Sequence, residues 1–539
     1  MKKLLLAGLI LVCQGILAQS QEALVFFADK ENVAASIANP ISILTQEAID
    51  RKTMHNVAID ERDVPVNESY ISTIKSQPGI TVYSKSKWLN AVYVTGTQAE
   101  VGDLLNLSFV TAVEFMDPDL NLFPLPFPTP DKFALENQSS RIVYNYGAAA
   151  NQIQMLAGDF LHEQDFTGDG MIIAVLDSGF PNVTTNPAFA EMISENRLLG
   201  TFDFVLDQIS IGGSSNHGAK VLSDMAGFID GQFVGTAPEA SYYLFRTEDA
   251  ASERPVEEAY WLEALERADS LGVDVVNTSL GYQDFDNPNY DHSYSDLDGE
   301  TTLGARAGNL AFEKGMLLVT SAGNDGGGFT YVATPADAMG ILTIGAVDSN
   351  GNYASFSSIG PTVDGRIKPD VMAQGASSAV VNENGMITTN SGTSFSSPIM
   401  AGVVACLWQS RPDARNFQVM QIVRESAHLF NNPTDEMGYG IPNFEDAYNA
   451  LQLLGNDQFL LQTNFALYPN PVNEILNISF PTSEERATVS VYNLLGEKVM
   501  EQEVTATDGG LDFAHLRAGM YIVSINGELL SNSFKIVKR

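Results

Sequence analysis

The stretch Met171-Ile172-Ile173-Ala174-Val175-Leu176 is followed at once by Asp177-Ser178-Gly179. A short continuous apolar run that stops on a carboxylate and a turn reads as a strand buried on both faces, with a polar group at its carboxyl end. The pattern recurs downstream. Val273 to Val276 runs into Asn277-Thr278-Ser279-Leu280-Gly281, and Met316 to Thr320 runs into Ser321-Ala322-Gly323-Asn324. Ile341 to Val347 is a fourth such run, and helical periodicity fills Val256 to Leu271 and Leu303 to Lys314. Strand and helix in alternation predict an α/β domain, a doubly wound and mostly parallel sheet with helices on both faces. In open sheets of this kind, sites form beyond the carboxyl ends of the strands. The three polar turns should therefore share one crevice.

Two further segments carry chemistry-bearing side chains. Asn216-His217-Gly218 enters a helix-like stretch. The small-residue turn Thr389 to Gly392 leads through Thr393-Ser394-Phe395-Ser396-Ser397-Pro398 into the apolar run Val403 to Trp408. A hydroxyl in the first turn of a helix lies in the positive field of unpaired backbone N–H groups, which favours a developing oxyanion. An Asp, a His and a Ser thus occur in chain order as Asp177, His217 and Ser394, one of the orders used by serine hydrolases. A serine hydroxyl is a weak nucleophile, so a His must take its proton, and a carboxylate must hold the imidazole in the right tautomer.

With these residues in view, the chain resembles the subtilases, the subtilisin-like serine endopeptidases. Asp177-Ser178-Gly179, His217-Gly218, Ser321-Ala322-Gly323-Asn324 and Gly392-Thr393-Ser394-Phe395-Ser396-Ser397-Pro398 match the family's signatures in the family's order. The resemblance implies a subtilisin-like fold and a triad of Asp177, His217 and Ser394. It implies oxyanion stabilisation by the Asn324 side chain with the Ser394 backbone N–H. It further implies a substrate-pairing edge at Ser279, Leu280 and Gly281, with Ala333 near the floor of the main specificity pocket. No acidic residue is evident at that floor, so broad or apolar specificity is expected for protein and peptide substrates. No cofactor is required for the chemistry. Departures from the family pattern lie after His217, at Ala219, Lys220 and Val221-Leu222-Ser223, and at Gln374, which is expected to alter only a turn.

Two regions remain outside the motifs. The other histidines, His55, His162, His292, His428 and His515, are read as structural. The carboxylate-rich stretch with Asp284, Asp286, Asp291, Asp296, Asp298 and Glu300 leaves a structural calcium ion open, since hard cations take oxygen ligands. Its spacing fits no loop template, and a solvated charge run is the favoured reading.

Composition bounds the rest. The chain has 539 residues, enough for about three or four domains. Its formal net charge of −37 argues against binding to nucleic acid. Residues 1–18 combine Lys2 and Lys3 with an apolar run, Leu4 to Leu17, and a small residue, Ala18, as in a secretory signal peptide. That run is shorter than the about 18–20 residues of a membrane span, so no transmembrane segment is expected. Were Cys13 removed with the signal, Cys406 would stand alone and no intrachain disulfide could form.

Residues 19–122 mix strand and helix patterns, including Leu24 to Ala28, Ala91 to Thr95 and the amphipathic Ala99 to Leu107, as a small α+β domain would. Asp63-Val64-Pro65-Val66 and Ser86 to Val92 resemble subtilase propeptides, implying an intramolecular inhibitor of the cleft. Residues 123–144 form a Pro-rich linker and maturation region, with the cut expected between Leu122 and Tyr144. Residues 145–455 are the peptidase domain. Residues 456–539 read as short alternating strands of an all-β sandwich. Their motifs Leu467-Tyr468-Pro469-Asn470-Pro471-Val472, Val491 to Val499 and the terminal Phe534 to Arg539 resemble the C-terminal sorting domain of the type IX secretion system of Bacteroidota. That system's machinery is then a partner, and the product is secreted or held at the cell surface after passing the periplasm and outer membrane. A catalytically inactive surface or adhesion protein on the same scaffold is the alternative. An α/β-hydrolase esterase is disfavoured because its nucleophile elbow needs Gly two residues after the Ser, where this chain has Ser396.

Overall fold

In the computed structural model the described residues are 20–121, 144–213, 215–454, 466–468, 472, 475–479, 486–493, 498–505, 510–517, 519–526 and 531–538. The signal segment 1–18 lies outside them, as does the linker region apart from Tyr144.

The run Met171 to Leu176 lies almost wholly in a strand of a seven-stranded sheet. Its members are β5 (Ile172–Asp177), β6 (Leu198–Asp203), β7 (Ser241–Arg246), β8 (Val275–Thr278), β9 (Leu317–Ser321), β10 (Ile341–Val347) and β11 (Val371–Gln374). The order is β11-β10-β9-β8-β5-β7-β6, and every pairing is parallel. From β5 the chain goes out to the β6 edge, returns as β7, then crosses to β8 and proceeds the other way. The winding reverses between β5 and β8, which is where ligand crevices open in such sheets. The strands reach one or two residues further toward their carboxyl ends than hydrophobicity alone marks. Asp177, Thr278 and Ser321 stay in the ladder although they are polar.

The N-terminal domain is a four-stranded antiparallel sheet in the order β2-β3-β1-β4, formed by β1 (Ser20–Phe27), β2 (Thr81–Ser86), β3 (Ala91–Thr97) and β4 (Val110–Phe115). Two of its helices are α1 (Gln46–Met54) and α2 (Glu68–Lys75). The amphipathic stretch after β3 is a short helix, Gln98–Asp103, followed by a 3-10 turn. This sheet shares a core with the large domain. Leu24, Trp88 and Tyr93 pack with Ala259, Leu262 and Leu265 of α4 (Val256–Ser270) and with residues of α5 (Leu303–Glu313).

Two other helices frame the site: α3 (His217–Ala226) and α6 (Thr393–Gln409). From Phe395 to Trp408 α6 is buried on all sides, which explains why its sequence is apolar without period. Residues Met1–Tyr448 and Asn449–Arg539 form separate compact units. The second holds a three-stranded and a four-stranded antiparallel sheet around Leu476, Val489, Val491, Leu511, Val523 and Ile525, a β-sandwich. Among the described residues no helix is long and apolar enough to cross a membrane.

Candidate active site

Asp177 ends β5 with its side chain fully buried. Its Oδ1 accepts the Ser178 N–H (2.7 Å) and lies 3.1 Å from the Ser178 hydroxyl. Both carboxylate oxygens face His217 Nδ1, at 2.9 and 3.0 Å. This fixes the Nδ1–H tautomer and leaves Nε2 bare. His217 is the first residue of α3, where its own backbone N–H lacks an intrahelical acceptor and donates to Ser215 Oγ instead (3.2 Å). Burial by itself lowers the His217 pKa. The Asp177 charge and hydrogen bond outweigh burial, and the nearby Lys220 opposes them, so the pKa is raised overall.

Ser394 occupies the first turn of α6. Four residues later comes Pro398, which has no N–H to give to the Ser394 carbonyl. That carbonyl instead accepts the Ser279 hydroxyl at 2.9 Å, and Ser279 Oγ in turn accepts from Asn277 Nδ2. The helix interruption thus ties the turn bearing Ser394 to the end of β8. The Ser394 hydroxyl lies 3.4 Å from the Ser279 carbonyl, and no hydrogen bond to His217 is made in this state. The Phe395 ring flanks the imidazole, with centroids 5.7 Å apart.

Asn324 follows β9. Its Oδ1 accepts both the backbone N–H (2.8 Å) and the hydroxyl (3.0 Å) of Thr393. Those two bonds orient the amide, and its Nδ2 has no protein acceptor among the described residues. Thr393 is completely buried. Sequence reasoning assigned it no task, although it stands inside the matched segment and a buried hydroxyl must find partners.

The proposed substrate edge and pocket floor meet. A Cβ on Gly281 would stand 3.5 Å from Ala333 Cβ, and Tyr282 N donates to Thr334 O (2.7 Å). Leu280, between Ser279 and Gly281 in the chain, is half-buried. Near this edge Glu248 accepts from the Tyr282 hydroxyl (2.7 Å), and burial pushes its pKa up to about 8.

The acidic stretch is built into turns. Asp291 accepts from Phe285 N, Asp296 from Ser293, and Asp298 from the Glu300 and Thr301 N–H groups. Among the described residues no group of His, Cys, Asp or Glu is arranged to hold a metal ion. Of the departures after His217, Ala219, Val221, Leu222 and Ser223 are buried, and Ser223 Oγ accepts Val381 N. Gln374, expected to matter only to a turn, ends β11 and accepts Asn151 Nδ2 at 2.7 Å.

An Asp–His pair, a serine at a helix start and an oriented amide, gathered at the carboxyl edge of a doubly wound sheet, are a site of the serine-hydrolase type. Residues 168–441 match the family model described as the subtilase family. The chain belongs to that family. Residues 22–132 match the peptidase S8 propeptide domain of Bacteroidota, and residues 466–539 the secretion system C-terminal sorting domain. The sorting domain directs the chain to export, as a secreted or surface-attached protein. Serine protease AprX of Bacillus subtilis is 28% identical over 314 residues, 53% of this chain and 67% of that protein. Alkaline elastase YaB of a Bacillus species is 29% identical over 296 residues, 55% and 69% of the two chains. The membrane-bound transcription factor site-1 protease of Rattus norvegicus is 30% identical over 316 residues, 57% of this chain. The match spans only 27% of the length of that relative.

Proposed function

We propose that the protein is an exported serine endopeptidase that hydrolyses peptide bonds through an acyl-enzyme on Ser394. The observation that carries this reading is the double contact of Asp177 with His217 Nδ1, which leaves Nε2 unprotonated on a ring that packs against Phe395, the residue after Ser394. His217 Nε2 takes the Ser394 proton as Oγ attacks the scissile carbonyl, and Asp177 stabilises the imidazolium that forms. The oxyanion is received by Asn324 Nδ2 and the Ser394 N–H. His217 then protonates the leaving amine, and water repeats the sequence to free the acid. The absence of a Ser394–His217 hydrogen bond is compatible with this, because such bonds commonly tighten only once substrate is bound.

Ser279, Leu280 and Gly281 pair with the substrate backbone, and the pocket floored by Ala333 takes a broad or apolar side chain. Residues 19–122 act as an intramolecular inhibitor, consistent with Met116 packing on Tyr282, Phe285 and Tyr290 beside the substrate edge. Maturation removes this domain by a cut between Leu122 and Tyr144, and export uses residues 456–539. A structural calcium ion plays no part in the chemistry.

A fluorophosphonate probe on the mature protein tests the reading. Labelling at Ser394, lost on denaturation, is expected. Ser394→Ala should lower turnover by about 10⁶, the magnitude seen for a subtilisin nucleophile. Native protein that stays unlabelled would sink the proposal.

A further inference from the structure

The acidic stretch of the sequence departs from the substrate edge and returns to the pocket floor. Its first residue follows Tyr282, whose N–H is bonded to Thr334 O (2.7 Å). It ends at Thr302, whose hydroxyl lies 2.6 Å from that of Thr334. Thr334 adjoins Ala333. Both ends of residues 283–301 are therefore pinned at the pocket bounded by Gly281 and Ala333.

Within this loop, His292 reaches away from the pocket to the underlying helix. Its Nε2 lies 2.7 Å from Glu258 Oε1, and Glu258 is 1% exposed. The other Glu258 oxygen accepts Gly304 N in the first turn of α5 (2.6 Å). One buried carboxylate thus joins α4, the loop and the start of α5. The opposite side of His292 touches the pocket wall. Its backbone N–H donates to Gln283 O (2.8 Å), and its ring meets the Phe285 ring edge-on with centroids 5.4 Å apart. Phe285 packs with Tyr282 and Tyr290 in a small aromatic cluster, and Tyr282 is bonded directly to Gly281. The charged groups facing the imidazole are Glu258 from α4, Asp296 from the loop itself and Asp337 from the segment after Thr334.

We propose that His292 is a positioning residue for substrate selection: by anchoring residues 283–301 to Glu258 it sets the wall of the pocket between Gly281 and Ala333, and it takes no part in the chemical step. This rests on the peptidase reading given above. The wall on this side is made of loop residues, not of sheet. A loop wall keeps its shape only while its own contacts hold. Glu253 holds this loop at Asp286, Pro361 at Tyr294 and Asp337 at Gly299, and His292 is the contact that ties the aromatic cluster beside the pocket to a buried carboxylate of α4. A loosened wall binds the substrate side chain less well in ground and transition states alike, which appears in KM and in side-chain preference.

The test uses the mature protein carrying His292→Leu, which fills the ring's space without a donor, and His292→Gln, whose amide can donate to Glu258. kcat and KM are measured separately on peptides that differ only in the side chain entering the pocket. His292→Leu should raise KM on the order of tenfold for large apolar side chains, keep kcat within about twofold, and flatten the ranking of side chains. His292→Gln should restore most of the loss. A wild-type KM and ranking in His292→Leu, a fall in kcat shared by all peptides, or a His292→Gln no better than His292→Leu would overturn the proposal. Fluorophosphonate labelling of the wild type separates this from failure of the peptidase reading. If no label enters, peptide affinity of the Ser394→Ala protein becomes the measurement, and the same tenfold difference between His292 and His292→Leu is required.

Discussion

The imidazole of His55 lies flat against the indole of Trp408, with ring centroids 5.4 Å apart and planes 13° from parallel. His55 belongs to the N-terminal domain, whereas Trp408 sits in the last turn of α6, the helix whose first turn bears Ser394. The His55 Nε2–H donates to the Pro412 carbonyl at 2.8 Å, and the buried Nδ1 has no acceptor for a second proton, which favours the neutral ring. The N-terminal domain and α6 are thus in contact at the helix end remote from Ser394.

This contact makes docking of the N-terminal domain sensitive to acid. Burial lowers the His55 pKa to about 4, the bond to Pro412 acts the other way, and Arg51 and Arg415 add to the depression. Released and solvated, the group returns to its ordinary value of about 6.5. The undocked state therefore binds more protons between these values, and docking weakens as pH falls from about 6.5 toward 4. Glu266 on α4 works in the opposite direction. Burial raises it to about 7 against Lys87 and the Ser86, Lys87 and Trp88 hydrogen bonds, so its own contribution strengthens docking as pH falls through 7. Size-exclusion chromatography of the cleaved complex across this range separates the two. His55→Phe should dissociate less readily than wild type at pH 5, and an unchanged acid response would refute the assignment.

A buried ionic cluster joins the same two domains. Lys52 Nζ is 2.7 Å from Asp269 Oδ1 and 3.2 Å from Asp63 Oδ1, Arg51 adds a 2.6 Å contact to Asp269, and Asp63 meets Lys314 at 2.9 Å. Asp269→Asn would leave Arg51 and Lys52 short of a counter-charge in a site without water access, at a cost of about 3–5 kcal/mol. Thermal unfolding of the uncleaved Ser394→Ala chain should show a clearly lower midpoint in the Asp269→Asn background. The mature protein, which has lost Arg51 and Lys52, should tolerate the change far better.

The legible and illegible parts of this architecture divide on physical grounds. Asp177, His217, Asn324 and Ser394 stand out in the sequence because each lies at the end of a strand or the start of a helix, and such junctions leave local marks of apolar run, small residue and polar side chain. β6 left no such mark: it is an edge strand, broken by Gly200, where its register with β7 shifts. The strand Lys498–Thr505 was missed for a related reason, being an edge strand with mostly exposed residues on both faces. The pairs His292–Glu258 and His55–Trp408 are created by tertiary packing alone, and no periodicity in either segment announces a partner. The role of Thr393 is of the same kind. It follows from the proximity of β9 and α6, not from its neighbours in the chain.

Thr393 should act through Asn324. Its N–H and hydroxyl both bond Asn324 Oδ1 and so leave Nδ2 as the end of the amide available to a substrate oxygen. Asn324→Ala removes the donor itself and should lower kcat by about 10²–10³ with little change in KM. Thr393→Val keeps the shape and the backbone bond but loses the hydroxyl. A fall of about tenfold in kcat is expected, since a neutral hydrogen bond contributes roughly 0.5–1.5 kcal/mol. If the hydroxyl acts only by orienting Asn324, then Thr393→Val should cost nothing further in the Asn324→Ala background. Steady-state kinetics on the two single variants and the double variant decide the point, and full additivity would exclude it.

Gly392 offers the most direct probe of where the oxyanion forms. Its φ of +152° belongs to the region that side chains rarely adopt, and a Cβ built there would stand 3.7 Å from Asn324 Nδ2, from Asn324 Oδ1 and from Ser394 N. Those contacts are ordinary van der Waals distances, so a methyl group meets no severe clash. It would nevertheless lie against both donors proposed to receive the charge. Gly392→Ala should therefore cost about 1–3 kcal/mol of backbone strain and, separately, hinder approach of a carbonyl oxygen to the two donors. The two effects are distinguishable. Strain alone lowers the unfolding midpoint and leaves kcat of the folded fraction unchanged. Obstruction of the oxyanion site lowers kcat in protein that is folded and still binds substrate, by an amount comparable to deleting one donor, about 10²-fold. Active-site titration combined with single-turnover kinetics should show slow acylation by a fully folded population, and rapid acylation by that population would move the oxyanion site away from Gly392.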